Sequence, residues 1–300
     1  MSRRRAKAAM QLGRHPMMRL FLLVSVVMCA FAGNSILTRL GISRYGIDPL
    51  TFGAIRVAAG AAALLILRRG RGVALQGRRR WAGAGTLAIY MIGFSLAYLS
   101  LPAGLGALIL FATVQGAMFT TAVWRRQAVP VRRWVGMGLA LVGLVILLWP
   151  AGPVRVDPAG AVAMVCAGIG WGAYTLLGQA ERDATAATTA NFLLCLPLMV
   201  AGILTQGDPG VLSGAGVATA VLAGAVTSGL GYALWYRVLP GLTVTAAAVA
   251  QLSVPVLAVV GGILLLSEPL TPRISLAAVM VLAGIGLSSL RQRRMGSSGS

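Results

Sequence analysis

The sequence predicts an all-α integral membrane protein of ten transmembrane helices, arranged as two inverted five-helix repeats. Three observations predict it. First, the composition does not suit water: of 300 residues, 58% are hydrophobic and 11% charged, where a soluble globule carries about a quarter charged residues. Second, ten apolar runs recur near the roughly 20 residues that a spanning helix needs. Third, Cys29–Gly41, CAFAGNSILTRLG, lines up with Cys166–Gly178, CAGIGWGAYTLLG, setting Gly33 opposite Gly170, Thr38 opposite Thr175 and Gly41 opposite Gly178. If that echo marks a duplication, the site lies where the two copies meet.

The chain opens with a basic arm, residues 1–19, holding Arg3, Arg4, Arg5, Lys7, Arg14, Arg19 and the single histidine, His15. The expected spans follow at Leu20–Thr38, Leu50–Leu67, Trp81–Leu101, Gly104–Trp124 and Trp134–Trp149. The second set runs Pro158–Leu177, Thr188–Leu204, Val211–Tyr236, Thr243–Leu266 and Arg273–Leu290. The first repeat is expected over 20–149 and the second over 150–290. Residues 291–300 form a tail that ends in GSSGS, a cloning scar.

The loop charges set the expected orientation. With the amino terminus inside, the basic connections Arg68–Arg80, Arg125–Arg133, Arg182 and Arg237 all fall on the inner side, as the positive-inside rule demands. Arg39, Arg44, Arg155 and Arg273 fall on the other side, and Arg56 lies within a span. The same clustering explains the net charge of +20 without a nucleic-acid partner, which would need that charge on a solvated face. Five tryptophans sit at span ends, where an aromatic belt belongs: Trp81, Trp124, Trp134, Trp149 and Trp235. Trp171 alone falls mid-span.

Five helices per half is an odd number, so the second half enters from the opposite side, as in many transporters with inverted repeats. The last helices of the halves correspond too, with Gly143 opposite Gly284.

Enzymatic chemistry is not expected. The six acidic residues, Asp48, Asp157, Glu181, Asp183, Asp208 and Glu268, lie in loops or at span ends, and no GxxxxGK[ST] phosphate loop is present. Neither a cofactor nor a metal is expected. Cys29, Cys166 and Cys195 form no CxxC pair. Without intramembrane carboxylates or histidine, a proton relay has no parts in the spans.

The candidate solute-binding residues are polar or aromatic at mid-span. Trp171 and Tyr174 share a helical face with small residues, which makes either a packed core or a cavity wall. Asn34 takes the opposed place in the first span and needs a partner at that depth. Gln251 precedes Pro255 by four residues, so its carbonyl loses a helical hydrogen bond. Tyr90, Tyr98 and Tyr232 line stripes that read equally as packing. Thr113 and Gln115 point to nearly opposite faces of the fourth span, so at most one faces a cavity. Arg56 reads as a gate or scaffold residue, at a depth that permits snorkelling to headgroups. Pro255 is placed with it as structural.

The segments GWGAYTLLG at 170–178, GAIRVAAGAAALL at 53–65 and QLSVPVLAVVGGILLLSEPLTPRISLAAVMVLAGIGL at 251–287 resemble the drug/metabolite transporter superfamily, EamA type. Within it, the chain is most similar to the YddG-type exporters of aromatic amino acids. One departure is that the first half has Arg126-Gln127 where the second has Ser267-Glu268, so the Glu-Pro turn is not duplicated. The resemblance implies a multi-pass protein of a bacterial inner membrane with both ends cytoplasmic. It implies a small-molecule substrate, an amino acid or related metabolite, in a cavity lined by spans 1, 3, 4, 6, 8 and 9. Efflux of cationic drugs is the alternative, and a lipid scramblase or membrane scaffold is the reading from another class.

Overall fold

The computed structural model describes residues 3–124, 131–148, 156–178, 183–206, 212–239 and 253–289, with a few single positions between them. Every element among them is helical. In chain order these are α1 (Arg3–Arg39), continued by a π turn at Leu40–Arg44, then α2 (Pro49–Arg68), α3 (Arg78–Ala97), α4 (Ala103–Trp124) and α5 (Val131–Leu148). The second half holds α6 (Pro158–Gly178), α7 (Ala184–Gln206), α8 (Gly214–Leu222), a π segment at Ala223–Leu230, α9 (Gly231–Val238), α10 (Ser253–Leu266) and α11 (Pro272–Ser289). Each of the ten expected spans therefore has its helix. The eighth is the continuous run of α8, the π segment and α9. The start of the ninth, at 243–249, lies outside the described residues.

Five runs are long and apolar enough to cross a bilayer among the described residues: Met18–Arg44, Pro49–Arg68, Pro158–Gly178, Thr185–Leu204 and Gly214–Val238. Boundaries differ modestly from expectation. The first helix already begins within the basic arm, and α3 ends at Ala97, where the chain turns through Tyr98. The α2 start is set by local chemistry: Asp48 accepts the Thr51 N–H at 2.8 Å and Pro49 needs no N–H partner.

The helix packing is symmetric under exchange of span n with span n+5. Fifth packs on tenth and second on seventh, pairs that map onto themselves. First packs on ninth as sixth packs on fourth; third on sixth as eighth on first; second on eighth as seventh on third. The echoed glycines sit at matching contacts. Gly170 presses against the α3 backbone at Thr86 and Tyr90, and Gly33 faces Thr227 of the eighth span. Gly143 faces Ala277, Met280 and Val281 on α11, while Gly284 presses on Gly136 and Ala140 of α5. Lipid supplies no hydrophobic drive between helices, so close backbone packing through small residues has to hold them together.

Candidate functional site

The site forms where α1, α2, α3, α4, α6 and the eighth span converge. On α1, Phe31, Asn34 and Ser35 share one face because residues three and four apart are neighbours on a helix. Tyr90 and Phe94 share a face of α3 in the same way. Leu110 and Phe111 come from α4, Trp171 from α6 and Tyr232 from α9. Together these nine side chains line a small cavity, and all are buried. The space between them is about 10 Å³, room for about one water.

Trp171 is the hub of the apolar wall. Its ring lies 4.7 Å from Tyr232, 5.0 Å from Tyr90, 5.6 Å from Tyr174 and 5.9 Å from Phe31, centroid to centroid. Phe31 also meets Tyr232 edge-on at 5.8 Å. Such tilted and edge contacts suit the ring quadrupoles and fix the rings against one another.

A polar cluster stands against this wall. Arg56 is fully buried. Its Nε donates to Ser228 Oγ at 2.8 Å, and its Nη2 donates to the hydroxyls of Tyr90 at 3.1 Å and Tyr232 at 3.2 Å. Its guanidinium carbon lies 5.4 Å from the Tyr90 ring centre and 5.0 Å from that of Phe94. Asn34 Nδ2 donates to the Tyr90 hydroxyl at 3.2 Å, and Thr227 Oγ1 donates to Asn34 Oδ1 at 3.1 Å. The π segment presents Thr227 and Ser228 side by side. One extra residue per turn in such a segment re-aims side chains, often at functional sites.

Snorkelling does not occur at Arg56. The side chain runs into the bundle to Ser228, Tyr90 and Tyr232, and the π segment packs so closely on α2 there that a Cβ on Gly224 would collide with the Arg56 carbonyl. Trp81, Trp124 and Trp134 are exposed, as the aromatic-belt reading requires, but Trp235 is buried against Phe31 at 5.9 Å, which that reading does not allow. Trp149 lies outside the described residues.

Asn34, Tyr90, Trp171 and Tyr232 are thus brought together, and Tyr174 stacks behind Trp171. Tyr98 is buried, with its hydroxyl donating to the Ala103 carbonyl at 3.3 Å and its ring edge-on to Phe94 at 4.8 Å. It lies beside the cavity and not in its wall. Thr113 turns back to the Ile109 carbonyl at 2.8 Å and packs on Gly168, so it does not line the cavity. Gln115 is half-buried and does not line it either. Gln251 and Pro255 are buried and do not line the cavity. Phe31, Ser35, Leu110, Phe111 and Thr227 were not singled out in the sequence. Phe31 could have been found from its spacing of three to Asn34, and Ser35 from its spacing of four to Phe31.

Each end of the bundle is tied. At one end Glu268 accepts the Ala103 N–H with both oxygens, at 2.8 and 3.0 Å, where a carboxylate complements the start of α4. Arg39 Nε lies 3.8 Å from Glu268, and Arg39 Nη1 donates to the carbonyls of Tyr98 and Leu99 at 2.9 and 3.1 Å. At the other end, Arg68 pairs with Asp183 at 3.2 Å and Arg80 with Glu181 at 3.1 Å. Asp183 is held below the ordinary aspartate range by the Ala186 N–H and by Arg68.

The model of the EamA-like transporter family matches residues 158–290. A protein of Pseudomonas aeruginosa, described as uncharacterized, is 44% identical over 273 residues, 91% of this chain and 95% of its own. The chain belongs to the EamA-like transporter family. An uncharacterized transporter of Bacillus subtilis, YwfM, is 26% identical over 284 residues, 90% of this chain and 94% of its own. A crystal structure of a protein superposes with a TM-score of 0.65 over 90% of this chain and 97% of that one, at 17% identity, which speaks for the fold. This EamA-type membrane transporter therefore carries its ring-walled cavity and buried arginine where the two halves of the chain meet.

Proposed function

We propose that the protein exports small metabolites, foremost aromatic and other large neutral amino acids, from the cytoplasm across a bacterial inner membrane. The observation that carries this reading is the cavity wall of Phe31, Tyr90, Phe94, Trp171 and Tyr232 beside the polar groups of Asn34 and Ser35. Ring faces suit an apolar side chain, and the polar edge suits its charged head. A cavity with room for about one water is a closed state. A solute of amino-acid size enters only when the bundle opens, so transport proceeds by alternating release of the Glu268 and Glu181 ends. The repeats, 20–149 and 150–290, rock against each other across the glycine contacts, with both termini cytoplasmic.

The transport is facilitative. The cavity lining holds no Asp, Glu or His, and an arginine stays protonated at any physiological pH. Cationic drug efflux is disfavoured by the buried positive charge of Arg56. A scramblase or scaffold would show no saturable solute flux. Uptake of labelled phenylalanine and tryptophan into proteoliposomes, with and without a pH gradient, tests the reading. Saturable flux that is insensitive to the gradient and lost in Trp171→Ala is expected. If neither amino acid moves nor competes, the substrate assignment fails.

A further inference from the structure

The polar cluster beside the cavity is rich in donors and short of acceptors. Arg56 brings a full positive charge with no exposed surface, and no carboxylate faces it among the described residues. Its Nη1 is buried without a hydrogen-bond partner. The Tyr90 hydroxyl is already surrounded: Asn34 Nδ2, Arg56 Nη2 and the Tyr232 hydroxyl lie 3.1–3.2 Å from its oxygen. A hydroxyl offers one proton and two lone pairs, so Tyr90 has no capacity to spare for Nη1. A buried charge left without a counter-charge is costly at membrane depth, and proteins retain such groups where they serve a substrate path.

Resting on the amino-acid reading above, we infer that the missing acceptor is the carboxylate of the transported solute, with Arg56 as its anchor. In the closed state the Tyr90 hydroxyl stands in for one carboxylate oxygen. Tyr90 swings aside on loading, and the carboxylate bridges Arg56 Nη1 and Nη2 in the bidentate manner that the planar guanidinium favours. Asn34 Nδ2 and the Tyr232 hydroxyl, released from Tyr90, complete its hydrogen bonds. The solute's side chain then lies on Trp171 and Phe31. The ammonium group has ring faces only and contributes less, so the carboxylate is the required feature and the amine is not.

Three ligands that share one ring separate the groups: phenylalanine, 3-phenylpropionate (carboxylate only) and phenethylamine (amine only). Binding to the purified full-length protein in nanodiscs is read by tryptophan fluorescence and confirmed by calorimetry. Phenylalanine and 3-phenylpropionate are expected to bind and compete, and phenethylamine to do neither. Arg56→Gln should weaken both carboxylate ligands by roughly tenfold or more, the scale of one charge-assisted hydrogen bond, with Arg56→Lys in between. Tyr90→Phe removes the competing phenol oxygen and should tighten 3-phenylpropionate binding; weaker binding in this variant would count against the anchor. That variant and the wild-type ligand comparison decide the matter even if Arg56→Gln does not fold. Arg56-dependent binding of 3-phenylpropionate without phenylalanine binding would keep the anchor and overturn the amino-acid reading. Phenethylamine competing with phenylalanine while 3-phenylpropionate does not would overturn the anchor and leave that reading standing. If neither 3-phenylpropionate nor phenylalanine binds, the anchor is overturned outright.

Discussion

Arg56 and Ser228 lie 172 positions apart in the chain and meet at 2.8 Å inside the bundle. One comes from the first half of the chain and the other from the second, so the contact ties the two together. The consequences can be measured.

Replacing Arg56 by Met separates stability from transport. Methionine fills much of the same volume without charge, and the Tyr232 hydroxyl still donates to Tyr90. The charge has no ionic partner, so its removal relieves a desolvation cost without stranding a counter-charge. Arg56→Met should therefore melt in detergent at or above the wild-type temperature while losing flux. Ser228→Ala leaves Arg56 Nε buried without its acceptor and should cost about 1–3 kcal/mol. A large loss of stability in Arg56→Met would contradict this account.

Glycine contacts should differ by what they face. A Cβ on Gly224 meets the rigid Arg56 carbonyl, whereas one on Gly261 meets the tip of the Ile36 side chain. The Ile36 tip changes rotamer; a helix backbone does not. Gly224→Ala is expected to cost about 1–3 kcal/mol, as overpacking usually does, and Gly261→Ala much less. Paired thermal melts of the two variants check the order.

The Glu268 latch predicts an accessibility change. Glu268→Gln keeps the shape but weakens the bonds to the Ala103 amide and to Arg39. In a background without the three native cysteines, Ser35→Cys should then react faster with a membrane-impermeant maleimide than in the parent. Equal labelling rates would show that Glu268 does not hold that end shut.

The Asp183 end carries a pH signature. Its carboxylate is held below the ordinary value of 3.8 by the Ala186 N–H and Arg68. A lowered folded-state pKa contributes stability that is present above the unfolded value and lost as pH falls through the folded one. Wild-type melting temperature should thus drop as pH falls below that range. Asp183→Asn should show a flatter profile there, and parallel profiles would exclude the contribution.

Much of the fold was legible in one dimension. Run length marked the spans, and the charge pattern set their expected direction. The glycine echo anticipated where helices approach, as Gly143 and Gly284 show. The site was legible only in part. Trp171 stood out because no belt explains a ring at mid-span. The direction of the Arg56 side chain was not legible, because depth along a helix can be read from sequence while rotation toward a neighbour cannot. Trp235 was misjudged for the same reason: it lies near a span end yet turns inward. Thr113 is polar at the right depth, but its hydroxyl is spent on its own backbone.

The sequence by itself determined the all-helical membrane class and the places of the spans, because hydropathy, length and charge act locally along the chain. Only the tertiary structure decided that Arg56, Tyr90, Ser228 and Tyr232 share one buried cluster. Those contacts depend on helix rotation and on glycine-close packing between segments far apart in sequence, which no local pattern encodes.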